Sequence, residues 1–144
     1  MRDSLNRSDA HKQEMLIRSL VQRGVVDRVD ASQKMQTLNV SLRSGHKPKK
    51  VEHWERYGIP YHPNEGAEVI AAAIGGSQDH LVVLDVADPR PRPTGLTAGE
   101  LAVHDDQGQI VHFTRDGIVV KSGKGVTIEC AAGITLKGPI TIEG

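Results

Sequence analysis

The chain has 144 residues, and its 18 Lys and Arg balance 18 Asp and Glu, so it lacks the basic excess expected of a dedicated nucleic-acid binder. Hydrophobic residues make up 38% and aromatics 3%, which is poor material for a large globular core, so stability is expected to come from assembly. The sole cysteine, Cys130, excludes an intrachain disulfide and a multi-cysteine zinc site.

Residues 1–19 are mostly polar, with Ser8 a candidate helix N-cap and Met15, Leu16, Ile17 and Leu20 forming a narrow apolar stripe. A helix this short is marginal alone and is expected to pack on a neighbouring chain or a partner protein. Arg2, Asp3, Arg7 and Asp9 leave no signal-peptide core, so a cleaved export signal is not expected, and no apolar run reaches the roughly 18 residues of a membrane-spanning helix.

Residues 20–88 read as a compact β-rich domain. Val21 to Val29 forms a strand expected to bend or bulge at Gly24. Met35 to Arg43 alternates, with Leu38, Val40 and Leu42 on one face, before Ser44-Gly45 turns the chain. Residues 66–74 and 80–87 read as two buried strands joined by the Gly75-Gly76-Ser77 turn. Trp54, Tyr57 and Tyr61 carry nearly all the aromatic mass and are expected to cluster between strands. Five short strands around so small a core suggest an OB-type barrel. Residues 89–98 then form a linker, whose alternating prolines favour a semi-rigid polyproline II spacer.

Residues 99–144 read as a shaft. Leu101 to Val103 and Gln109 to Thr114 are strands turned at Asp105-Asp106-Gln107-Gly108. Beyond them Gly117, Gly125 and Gly133 recur eight apart, and β-branched residues alternate with polar ones in each block. Ile118, Val120, Val126, Ile128, Ile134, Leu136, Ile140 and Ile142 therefore share one face, because side chains alternate along a strand. Burying these eight would contribute roughly 1.5–3 kcal/mol each, or about 12–24 kcal/mol per chain before entropy. One chain cannot collect that energy as a solenoid: a coil of hexapeptide strands takes about 18 residues, and at least about three stacked repeats are needed. Three copies, each giving one wall of a prism, close the face onto a shared axis and leave no open strand edge. The expected architecture is all-β: a short N-terminal helix, an OB-fold barrel and a C-terminal intertwined trimeric β-helix. An antiparallel meander packed on the preceding domain would show similar alternation.

Five phrases carry a resemblance: Val51-Glu-His-Trp-Glu-Arg-Tyr-Gly58, His62-Pro-Asn-Glu-Gly-Ala-Glu68, Gly75-Gly-Ser-Gln-Asp-His-Leu-Val-Val83, Gly99-Glu-Leu-Ala-Val103 and Asp105-Asp-Gln-Gly108. In this order they resemble the central spike, or baseplate assembly protein V, family of Mu-type contractile-tailed bacteriophages, over nearly the whole chain from about residue 18. The resemblance implies a homotrimer in the virion tail baseplate, assembled in the host cytoplasm. It implies an OB ring near the tail tube, bound to baseplate hub proteins, and a shaft driven through the host outer membrane when the sheath contracts. Relatives carry a tip His-X-His motif that binds iron; it is absent here, and the chain ends at Glu143-Gly144 still repeating, so no cofactor is carried over. A separate tip protein is one way to complete the point.

Other residues invite chemistry. His104 and His112 are eight apart and read as solvated strand histidines; Cys130 shares the face of Val126 and Ile128 and reads as a small buried hydrophobe. His53 and Trp54, beside Glu52 and Glu55, read as the wet face of a short helix without a nucleophile, and Asp79-His80 as a turn entering a strand. His46-Lys-Pro-Lys-Lys50 reads as a partner contact or solvated loop. The function expected is a mechanical spike without catalytic residues and without nucleic-acid binding. The alternative is a single-stranded nucleic-acid-binding OB module with an oligomerising tail; a tail-associated carbohydrate enzyme would need paired carboxylates, and none can be assigned.

Overall fold

Five short strands can bury their apolar faces only by curling into a closed barrel, and residues 21–87 do so. The computed structural model describes residues 2–143, and side chains from residue 7 onward. It divides into two compact units, 1–90 and 91–144.

In the first unit, helix α1 (Arg2–Ser19) precedes β1 (Val21–Asp30), β2 (Thr37–Leu42), β3 (Val51–His53), β4 (Glu68–Ala73) and β5 (Leu81–Ala87). The strands close in the order β1-β2-β3-β5-β4, with β4 returning to β1. All pairs are antiparallel except β3 with β5, which is parallel. Period-two alternation turns Val26, Leu38, Val40, Leu42, Val51, Val69, Ala71 and Val83 into the sealed interior. Leu38, Val40 and Leu42 are buried together, as the alternation of that segment predicts.

Local expectations change in three places. Ser8 is not an N-cap, because α1 has begun six residues earlier, at Arg2. Gly24 does not interrupt β1: a Cβ there would stand 2.5 Å from the Ser41 carbonyl oxygen, so the glycine permits the close approach of β2. The irregularity falls instead between Val26 and Arg28, where Asp27 is the extra residue and accepts a hydrogen bond from the Ser41 hydroxyl at 2.7 Å. Residues 51–53 are strand rather than helix, since β3 must bridge β2 and β5 to close the barrel.

The barrel has two distinct ends. One carries the C-terminus of α1, the turn at residues 43–45 and the turn through Ile74–Gly76, while residues 46–50 run back along β2. The other carries the 31–36 and 54–67 loops and the exit of the chain after β5. At the exit Arg90 pairs with Asp88 and donates to the Glu65 carbonyl at 3.0 Å, tying the departing chain to the barrel.

The second unit contains β6 (Leu101–His104), β7 (Ile110–Phe113) and β8 (Ile118–Lys121), an antiparallel meander in the order β6-β7-β8. Asp105 builds the first turn by accepting from the Gln107 and Gln109 amides, each at 2.9 Å. After Lys121 no strand is assigned among the described residues.

Candidate functional site

The register of the meander sorts its side chains into two unlike faces. Leu101 opposes Phe113, which opposes Ile118; Val103 opposes Val111, which opposes Val120. Directly opposed residues share a face, so these six form one wholly apolar surface. Ala102, His104, Ile110, His112, Val119 and Lys121 form the mixed face behind it.

In a single chain the apolar face is open. Leu101, Val103, Ile118 and Val120 are all more than half exposed, and Phe113 is 41% exposed. A groove of about 490 Å³ at the end of the sheet is lined from both faces, by Val103, Val111 and Val120 and by His104, Ile110 and Lys121, and also by Val126. Each residue assigned from the sequence to a shared core is exposed in one chain: Ile118, Val120, Val126, Ile128, Ile134, Leu136, Ile140 and Ile142, the last at 91%. The sequence reading missed Leu101, Val103, Val111 and Phe113. The alternation of Leu-Ala-Val-His and Ile-Val-His-Phe was visible, but which half matched Ile118 and Val120 depended on register.

The mixed face carries polar order instead. Glu100 accepts from the Thr97 amide at 2.9 Å and the Arg115 amide at 3.2 Å, and lies 3.4 Å from His112 Nε2. The Thr97 amide above all, then the Arg115 amide and His112, hold the Glu100 carboxyl below its ordinary range. His104 and His112 lie on this face without forming a metal-binding group; among the described residues no cluster of three His, Cys, Asp or Glu side chains could hold an ion. Cys130 is exposed in the single chain, with its thiol 3.0 Å from the Gly133 carbonyl.

In the barrel, Glu52 and Trp54 of the Glu52–Glu55 quartet are exposed and Glu55 is half-buried, but His53 leaves the wet face. His53 is fully buried, because β3 alternates Val51 and His53 inward and Glu52 outward. Gln36 Nε2 donates to His53 Nδ1 at 2.9 Å, which leaves Nε2–H to donate to the Tyr61 hydroxyl at 3.1 Å. Burial pushes the His53 pKa down, with Glu55 and Asp85 opposing the shift, and pushes the Tyr61 phenol up. This neutral network pins the 54–67 loop, helped by Gln36 donating to the Tyr61 carbonyl and Glu55 accepting from the Tyr61 amide. Trp54 and Tyr57 do not cluster between strands; they stand at 60% and 104% exposure on that loop. Asp79-His80 forms the expected turn before β5.

The chain is thus a small closed barrel followed by a sheet whose apolar face stands open in the single chain. Residues 23–90, which span this barrel, match the family model described as Bacteriophage Mu Gp45, N-terminal. The chain is 30% identical over 125 residues to the baseplate puncturing device gp45 of Escherichia phage Mu, a match covering 87% of this chain and 64% of that protein. It is 36% identical over 110 residues to the Mu-like prophage FluMu protein gp45 of Haemophilus influenzae (strain ATCC 51907 / DSM 11121 / KW20 / Rd), covering 76% of this chain and 60% of that protein. The matches therefore span less than two thirds of either curated relative.

Proposed function

We propose that this chain is a structural spike subunit of a phage tail baseplate, a homotrimer that works mechanically rather than as an enzyme. The observation that carries the reading is the uncovered apolar face of β6–β8, followed in sequence by exposed alternating apolar residues from Val126 to Ile142. Such a face is stable in water only when covered, and threefold closure covers it with copies of itself. Residues 99–144 would then form an intertwined β-helix, residues 89–98 its spacer, and residues 20–88 an OB-type barrel. The closed strand order and the parallel β3–β5 pair support the OB assignment. The name of the Mu relative, baseplate puncturing device, supports placement in a baseplate, where hub and tail-tube proteins would be its neighbours.

The mechanism is stiffness. Backbone hydrogen bonds running between chains around a dry axis make opening one strand expose several unpaired groups at once. A shaft that transmits sheath force to the host outer membrane needs this kinetic resistance and no catalytic group. The reading includes no metal or other cofactor, and leaves room for a separate tip protein. A nucleic-acid role is not favoured, because the chain carries no basic excess and the basic residues 43–50 include no aromatic side chain on which a base could stack. Native mass spectrometry with metal analysis tests the proposal: a trimer free of ion is expected, and a monomer at high concentration would overturn it.

A further inference from the structure

The loop from Arg43 to Lys50 carries Arg43, His46, Lys47, Lys49 and Lys50 and no acidic residue. None of the five forms an ion pair among the described residues, although Lys50 lies within electrostatic range of Asp30. Side chains on a loose loop would simply be solvated, but this loop is held. Val40 N–H donates to the Pro48 carbonyl at 3.1 Å, Leu42 N–H to the His46 carbonyl at 2.9 Å, and Gly45 N–H to the Leu42 carbonyl at 2.9 Å. Lys50 N–H donates to Asn39 Oδ1 at 3.0 Å, and Lys50 is held at φ 55°, the one non-glycine residue in the left-handed region among those described. A lysine in that conformation is strained, and such strain persists where the surrounding structure imposes it.

We infer that this rigid basic loop, held along β2, is a docking surface for a carboxylate-rich protein face. The inference deepens the baseplate reading by naming the surface and chemistry of a partner, and it does not depend on trimer formation. Pinning matters because most of the ordering cost of the loop is met before the partner arrives. Unpaired cations at fixed positions steer an acidic surface and set its orientation. Two other polyanions fit less well. Nucleic acid would need bases stacked beside the charges, and residues 43–50 contain no aromatic side chain. A membrane surface would need apolar anchors, and the loop offers only Pro48, which is half-buried.

The test measures binding of the whole protein to immobilised poly-L-glutamate, to a thymidine oligonucleotide of about 30 nucleotides and to anionic phospholipid vesicles, at about 50 mM salt. The variant Lys47→Glu/Lys49→Glu/Lys50→Glu is compared with a control of equal charge change at exposed sites elsewhere, Lys12→Glu/Lys34→Glu/Arg56→Glu. We expect poly-L-glutamate binding to weaken about tenfold or more in the loop variant and less than about threefold in the control. Circular dichroism checks that both stay folded, and Lys47→Gln/Lys49→Gln provides a milder pair if the triple variant does not. Equal losses in variant and control would overturn the inference. So would loop-dependent binding that is tighter for the oligonucleotide or the vesicles than for poly-L-glutamate. A monomeric protein that still shows the loop effect would sink the trimer and leave this inference standing.

Discussion

Ile128→Asp separates a residue buried between chains from one merely exposed. In a single chain Ile128 is 71% exposed and belongs to no strand, so the substitution costs the isolated subunit almost nothing. In a closed trimer it removes three buried side chains worth roughly 1.5–3 kcal/mol each, about 4.5–9 kcal/mol per assembly. It also brings three carboxylates together around one axis, and the desolvation of each adds several kcal/mol more. The expected result is loss of the trimer in sedimentation or native mass spectrometry, while the barrel keeps its thermal transition. A soluble trimer of unchanged heat resistance would refute the inward assignment of this face.

The newly assigned half of the face is tested by Phe113→Ser against Val119→Ser, opposite sides of the same meander: the first should lower trimer melting markedly and the second little, and the reverse order would invert the faces. Barrel stability should depend on pH through His53. Its folded pKa is depressed, so above about pH 6.5 the group is neutral in both states; as pH falls below that, only the unfolded chain takes up the proton. Stability is then lost at no more than about 1.4 kcal/mol per pH unit until the folded pKa is reached, and His53→Gln should flatten this part of the thermal-denaturation profile. Gly24→Ala, whose Cβ would meet the Ser41 carbonyl at 2.5 Å, should destabilise the barrel by about 1–3 kcal/mol in urea unfolding.

Alternation was legible wherever one face of a strand is dry. Leu38, Val40 and Leu42 announced an inward face, and the structure buries all three. The run from Ile118 to Ile142 sets out an apolar stripe by the same alternation, because side-chain direction along an extended chain has a fixed period of two, and in the single chain its residues are exposed. The five-stranded barrel followed from counting such runs between turns. Where two polar-looking residues flank a buried one, local reading failed. Glu52 and Glu55 made His53 look wet, yet β3 must turn it inward to pair with both β2 and β5.

Pairing, not propensity, decided the rest. Whether Phe113 or His112 joins Ile118 on the apolar face depends on the β7–β8 register, and a shift of one residue would exchange the faces completely. Gly24 looked like a break from its residue type alone, and only the nearness of β2 made it a close-packing site. The hold on Lys50 required Asn39, eleven residues away on the neighbouring strand. Sequence by itself determines what each stretch must hide from water, because that follows from local chemistry and period. Tertiary structure determines which hidden surfaces meet and which are left uncovered, because that depends on contacts between residues far apart in the chain.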